Sequence, residues 1–467
     1  MKISFHGAAR TVTGSKHIIH LKNGKKILLD CGLFQGMGDQ TLELNTHFGF
    51  DPREITHVVL SHAHIDHSGL LPKLVKEGFK GKIYCTAATV DLATVLLQDS
   101  AMIQESDVAF VNKRRAAQGL PYIKPLYTIA DANNVIPLFV PHAYNKEFQI
   151  DKDIHVTFTD TGHILGSAAV NLRIQDNGKE TRITFSGDVG RYRDVILRSP
   201  EEFPQADYII LESTYGNSRH DTFKNSDEEI LKEIQETCIE NKGKLIIPAF
   251  SVGRTQEILF ALNKLENENR LPDVPYFVDS PLSVKTTEIV KRHSELYNKR
   301  VVDIMKTDKY PFDFKGLKFI TAVEDSKLLN SRKDPMVIIS ASGMAEAGRV
   351  KHHIANNIEN PRNGIMMVGY CEPHSLGARL MRGDTEVTIF RESYQVKAKV
   401  SSIRSMSAHG DYDDLCQFLA CQQPSQVKTL FIVHGEYDVQ KDFQHSLLKK
   451  GFPEVEIPNM HETFRLD

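Results

Sequence analysis

The densest run of metal-ligating side chains is His62-Ala63-His64-Ile65-Asp66-His67, in which four of six positions carry an imidazole or a carboxylate. Residues two apart in extended chain share a face, so His62 and His64 point to one side. Asp66 and His67 then fall on the turn into a following helix, where they can serve a second ion. Mixed imidazole and carboxylate ligation suits zinc. The alternative is a polar loop with incidental histidines, and the density of ligand types counts against it. Three further residues stand in matching contexts. His163 lies in Asp160-Thr161-Gly162-His163-Ile164-Leu165-Gly166-Ser167, Asp188 in Ser186-Gly187-Asp188-Val189, and His434 in Val433-His434-Gly435-Glu436. Singly each reads as an ordinary loop residue. Together with the first cluster they complete a set for two metal ions.

Such residues need strands that end beside one another. Residues 25–30 (KKILLD) and 55–61 (ITHVVLS) read as buried strands ending in polar residues, the second directly before the cluster. Leu70, Leu71, Leu74 and Val75 give residues 67–77 helical spacing. Strands are predicted at 181–186, ahead of Asp188, and at 208–211. The polar run after Glu212 (STYGNSRHD) reads as a boundary. Longer α/β units follow: a helix over 225–240, a strand over 244–247, a helix over 254–265, and strands over 276–279, 335–340 and 365–370. That is the pattern of a doubly wound parallel sheet. From residue 391 alternating strands return (YQVKAKVSSI), then a helix and a strand over 429–434. The organisation predicted is one domain over 1–212 and 391–467, interrupted by an inserted domain over 213–390.

Composition sets outer bounds. The chain has 467 residues, more than one core usually holds. Its 41% hydrophobic and 25% charged residues are a normal soluble mix. No window approaches the roughly 18 apolar residues of a membrane helix, and the start lacks a signal-peptide pattern. A cytoplasmic protein that does not enter a membrane is expected. The six cysteines form no Cys-x-x-Cys pair, and Cys416 and Cys421 read as buried structural thiols rather than metal ligands. The formal charge of −3 does not advertise nucleic acid, so a binder would need a local basic surface.

With these residues in view, the sequence resembles the metallo-β-lactamase superfamily. Within it, the similarity is to the β-CASP nucleases, the group of ribonuclease J and of the endonuclease subunit of the cleavage and polyadenylation specificity factor. Asp30 in Leu28-Leu29-Asp30-Cys31-Gly32 resembles the first motif, and His62, His64, Asp66 and His67 the second. His163 and Asp188 stand where the third and fourth belong. Glu212 in Leu211-Glu212-Ser213-Thr214 resembles the acid of motif A, His409 in Ser407-Ala408-His409-Gly410-Asp411 motif B, and His434 motif C. Pro248 to Arg254, Asp279 to Leu282 and Ser340 to Met344 are similar as well, so the resemblance spans nearly the whole chain. One stretch departs: Glu372-Pro373-His374-Ser375-Leu376-Gly377 replaces the usual Gly-Thr-Leu-Gly, and His374 there reads as a packed loop histidine. The KH extension of archaeal relatives is not expected here.

The resemblance implies an α/β fold, a metallo-β-lactamase αββα sandwich with an inserted doubly wound β-CASP domain. It implies two zinc ions per chain: His62, His64 and His163 on one, Asp66, His67 and His434 on the other, Asp188 bridging. Zinc ions about 3.5–4 Å apart share a water whose pKa falls to about 7. Asp66 thus counts as both ligand and catalytic residue. His409 is the expected general acid, because an imidazole is a natural proton donor near neutral pH, with Glu212 holding it protonated. Asp30 braces a ligand histidine from behind. The implied reaction is endonucleolytic cutting of single-stranded RNA to 5′-phosphate and 3′-hydroxyl ends, with 5′→3′ exonucleolytic cutting compatible. A homodimer is compatible too. RNA is expected along a cleft between the domains, with Arg254 and the Ser340 to Gly343 turn as contacts and His352 and His353 on a helix surface.

Three other readings compete. Thioester hydrolases share the histidine cluster but lack the insert and have no use for His409. Flavin di-iron proteins carry glutamate where this chain has His64. A metal-free RNA-binding scaffold should have gaps among the ligands, and this chain has none. DNA-directed relatives carry valine at motif C, so His434 favours RNA.

Overall fold

The computed structural model describes residues 1–220, 226–369, 371, 374–403 and 407–467. The chain forms two compact units, Met1–Arg219 with His409–Asp467, and His220–Ala408.

Among the described residues, the first unit holds two seven-stranded sheets. In one, Lys26–Leu29, His57–Val59 and Lys82–Cys85 run parallel, and Lys2–Gly7 and Lys16–His20 complete an antiparallel side. In the other, Lys179–Phe185, Tyr208–Glu212 and Thr429–Val433 run parallel, next to antiparallel Ala168–Asp176 and Ile154–Asp160. Side chains alternate across these strands. Ile27 and Leu29 of one sheet join Ile183, Phe185 and Ile210 of the other in a single core between them. Ile209 and Leu211 face the opposite way and pack with Leu415 and Phe418 of the helix Tyr412–Phe418 and Phe443 and Leu447 of the helix Tyr437–Lys449. Leu28, Val58 and Ile83, on the far face of the first sheet, are buried as well. This is the αββα sandwich.

Within the first unit two elements differ from the sequence reading. The helix predicted over 67–77 is two short helices, Ile65–Ser68 and Leu71–Lys76. Pro72 lacks an N–H and is accommodated only in the first turn of the second. A 31-residue helix, Ala87–Ala117, was not anticipated. Among the described residues no helix is long and apolar enough to cross a membrane.

The second unit is built on six parallel strands in the order Leu317–Ile320, Tyr276–Asp279, Met336–Ser340, Lys244–Pro248, Gly364–Val368 and Lys399–Ile403. Every residue of the three central strands is buried, as a sheet covered on both faces requires. Lys399–Ile403, expected in the returning segment, instead pairs parallel with Gly364–Val368. Residues 225 and 370, placed in a helix and a strand by the sequence, lie outside the described residues.

Candidate metal centre

The ligand-type residues follow strand ends that the register sets side by side: Leu29 opposite Val59, Phe185 opposite Ile210, Glu212 opposite Val433. Asp30 follows its strand with φ 57°, and His434 follows its own with φ 50°. Both sit in the left-handed region, which aspartate and histidine enter more readily than most side chains, and such strain collects at functional sites. Asp30 ties the second loop to the first, accepting from Ser61 N at 2.7 Å and Ser61 Oγ at 2.8 Å. It also takes His67 Nδ1 at 2.6 Å, which turns His67 Nε2 toward the centre. Gly32 is required here, since a Cβ would lie 1.6 Å from Asp66 O.

The side chains form two sets around Asp188. His62, His64, His163 and Asp188 offer ligand atoms all within 4.8 Å of one another, and so do Asp66, His67 and His434. His64 Nδ1 stands 3.2 Å from His62 Nε2 and 3.1 Å from His163 Nε2. Asp188 Oδ2 lies 3.5 Å from His62 Nε2 and 3.4 Å from His163 Nε2, while its Oδ1 lies 3.2 Å from His67 Nε2 and 3.7 Å from His434 Nε2. His434 Nε2 is 3.3 Å from Asp66 Oδ2, and its backbone N–H donates to Ala8 O.

The donor set fits divalent cations. Burial pushes His62 and His163 well below the usual imidazole range and His64 down to about 4. These rings are therefore neutral, the form that ligates metal. His67 behaves oppositely. Burial disfavours its charge, but Asp188, Asp66 and Asp30 outweigh burial and raise it well above the usual range. The carboxylates on that side thus demand a cation. His67 Nε2 and Asp188 Oδ1 face each other at 3.2 Å, buried and, among the described residues, with no other hydrogen-bond partner, an arrangement that metal ligation satisfies.

Beside Asp188 stands a second arrangement. His409 Nδ1 is 3.1 Å from Glu212 Oε1 and 3.9 Å from Asp188 Oδ2. Glu212 is fully buried and accepts from Val189 N at 2.7 Å and Thr214 N at 3.2 Å. Asp411 caps the helix that follows His409, and Gly410 N donates to Val189 O at 2.7 Å, which fixes the His409 backbone. Burial works against a charge on His409, yet Glu212, with Asp188 and Asp66, raises it to about 9. A protonated imidazole is held at the edge of the centre.

Comparison with known proteins identifies the family. The chain matches the metallo-β-lactamase superfamily over residues 17–238, the β-CASP domain over 255–380, and a Zn-dependent metallo-hydrolase RNA specificity domain over 393–458. It is 34% identical to ribonuclease TTHA0252 of Thermus thermophilus over 93% of each chain. The chain belongs to the β-CASP group of the metallo-β-lactamase superfamily. It is also 30% identical to an RNase J-like protein of Methanocaldococcus jannaschii, over 93% of this chain and 92% of that one. To transcription termination factor FttA of Methanosarcina mazei it is 30% identical, over 94% of this chain and 68% of that one. A crystal structure of a protein of unknown function from Enterococcus faecalis shares the fold, with a TM-score of 0.53 at 13% identity, covering 100% of this chain and 99% of that one. Membership of this superfamily carries divalent-metal binding and hydrolase chemistry with it.

Several expectations for this β-CASP chain are corrected by the structure. Arg254 is not an open contact for RNA; it is buried and ion-paired with Glu257. His353 is not on a helix surface. It is fully buried in the second unit, with Nε2 2.6 Å from Asp279 Oδ2 and Nδ1 2.9 Å from Asn330 Oδ1. His374 is exposed rather than packed, while Glu372 and Pro373 lie outside the described residues. Ser340 turns inward, donating from Oγ to Asp279 O at 2.8 Å. Cys416 and Cys421 are half-buried against the helical side of the sandwich. Sequence reasoning missed the hydroxyls beside the ligands: Ser61 on Asp30 and His62, Ser167 on His163 N, and Thr214 Oγ1 at 3.1 Å from His434 Nδ1. Their signal was adjacency, a small hydroxyl residue within a few positions of a ligand or motif acid.

Proposed function

We propose that this chain is a two-zinc ribonuclease of the cytoplasm that hydrolyses single-stranded RNA to 5′-phosphate and 3′-hydroxyl ends. The observation that carries the reading is the largely buried constellation of His62, His64, His163, Asp66, His67 and His434 around Asp188, with His409 beside it. The names of the relatives, a ribonuclease and an RNase J-like protein, and the RNA specificity domain support RNA as the substrate. We take the unit Met1–Arg219 with His409–Asp467 as the metal-binding domain and His220–Ala408 as the insert, so the return to the first domain falls after the strand Lys399–Ile403 and not at residue 391.

Bound zinc supplies a water nucleophile of lowered pKa and neutralises charge on the phosphoryl oxygens. The chain's own residues do the rest. His62, His64 and His163 hold one position, and Asp66, His67 and His434 the other, with Asp188 common to both. Asp30 keeps His67 in the tautomer that presents Nε2. The P–O3′ bond breaks, and the leaving 3′ oxygen takes its proton from His409, which Glu212 keeps charged. The RNA 2′-hydroxyl has no part as nucleophile, so no cyclic 2′,3′-phosphate forms.

End-group analysis of RNA cut by zinc-loaded protein, alongside matched DNA, tests this. We expect 5′-phosphate and 3′-hydroxyl RNA ends and little cutting of DNA. Cyclic phosphate ends would sink the mechanism, and equal cutting of single-stranded DNA would sink the RNA assignment.

A further inference from the structure

The helix Ala87–Ala117 begins at the metal centre and ends far from it. Thr86 Oγ1 and Thr89 Oγ1 donate to Gly166 O at 2.7 and 2.9 Å, in the loop that carries His163. The helix contributes buried residues only as far as Ala101. Beyond that it leaves the core as an arm. At a rise of 1.5 Å per residue, Phe110 lies roughly 35 Å along the axis from Ala87. The returning chain is ordered against the helix. The Asn112 side chain donates to Ile123 O at 3.0 Å and accepts from Ile123 N at 2.9 Å, and Arg115 Nε donates to Pro121 O at 2.6 Å.

The inner turns of the arm carry Glu105 and Asp107, but the composition of its outer part is unlike that of the chain. From Ala109 to Leu126 the charged residues are Lys113, Arg114, Arg115 and Lys124, with no aspartate or glutamate, in a chain whose net charge is −3. Among the described residues none of the four is in an ion pair. Two rings lie open among them, Phe110 at 57% and Tyr122 at 72% exposure. The Arg114 guanidinium sits 4.6 Å from the Phe110 ring centroid.

Unpaired cations tracking a backbone, interleaved with open aromatic faces on which bases stack, are the chemistry of single-strand nucleic-acid binding. We infer that this arm is a second contact surface for single-stranded RNA, engaging the strand beyond the segment at the metal centre. The inference rests on the ribonuclease reading above. Leu120 and Ile123 would also suit a second copy of the chain or a lipid surface. The unbroken positive charge beside stacking faces favours a polyanion that carries bases.

The test uses the full zinc-loaded chain and two variants, Phe110→Ala with Tyr122→Ala, and Lys113→Gln with Arg114→Gln and Lys124→Gln. A span of roughly 35 Å corresponds to about ten stacked nucleotides at 3.4 Å each, or about five when the strand is extended to twice that rise, so an unstructured 30-nucleotide RNA reaches the arm and a 4-nucleotide RNA does not. Each variant should bind the long RNA at least about tenfold more weakly. The charge variant should also flatten the salt dependence of log K by about 2, at roughly 0.7 per cation lost. Cleavage of the short RNA should be unchanged in both, which also reports an intact fold. Unchanged affinity and salt dependence for the long RNA, while the parent chain cuts RNA, would overturn the arm's role and leave the ribonuclease reading standing. Variants that shift only sedimentation, or only binding to anionic vesicles, would overturn it in favour of self-association or a lipid surface. A parent chain that neither binds nor cuts RNA would bring down both.

Discussion

Replacing Glu212→Gln removes one negative charge from beneath His409 and keeps the side chain's size. Glu212 is the strongest of the charges that hold His409 at about 9 against burial. Without it the imidazole returns to about 6.5 or lower. A fall from about 9 to about 6.5 is about 3 kcal/mol less affinity for the proton. At pH 8 the protonated fraction then drops from about nine-tenths to about one-thirtieth, so cleavage that needs this proton slows about 30-fold. Near pH 6 both proteins keep most of it, and the loss is small. The acid is competent below its folded pKa and lost as pH rises through it, so the alkaline limb moves to lower pH in the variant. Bound metal lowers both values together, so both alkaline limbs, and the pH at which this difference opens, move to lower pH while the variant's limb stays the lower of the two. The assay is kcat/KM for a labelled RNA from about pH 6 to about pH 9.5, on samples of matched metal content. Glu212 also belongs to a group with Asp188, His409 and His434 whose ligand atoms lie close enough to hold an ion. An equal loss at every pH, accompanied by metal loss, would show that Glu212 ligates and does not charge His409.

His409→Ala should keep about two zinc ions per chain and lose roughly 100- to 10,000-fold in cleavage, whereas His434→Ala should lose metal as well; equal metal loss in both refutes the division of roles. Asp160 gives a stability test. Burial, with Glu201 adding to it, raises its carboxyl to about 7, and it accepts from Gly162 N at 2.8 Å. The folded chain holds this proton where the unfolded chain has released it, so stability falls as pH rises from about 4 to about 7. Asp160→Asn keeps the acceptor and should gain up to roughly 4 kcal/mol at pH 8, with no gain below about pH 4. Melting curves of the two proteins that stay parallel across that range would refute it.

The residue types of the centre were legible because ligand chemistry is written locally. His62, His64, Asp66 and His67 fall within six positions, and a turn after a strand is enough to place them together. The strands Tyr276–Asp279 and Thr429–Val433 were legible for a similar reason, since buried parallel strands read as apolar runs. The helix Ala87–Ala117 was not, because its apolar face stops at Ala101 and the remainder serves no core that could impress a periodicity on it. The alternation in Lys399–Ile403 marks a strand but not its partner, and only Gly364–Val368 decided which sheet it joined. Arg254 and His353 look like surface residues by type, and burial beside Glu257 and Asp279 made them internal. The proximity of His409 to Glu212, 197 positions apart, and of His434 to Asp66, 368 apart, is likewise absent from any local pattern. It follows from the parallel register of Tyr208–Glu212 on Thr429–Val433 and from the two sheets closing on one core. Side-chain chemistry belongs to each residue by itself; a distance between residues hundreds of positions apart exists only after the backbone has paired.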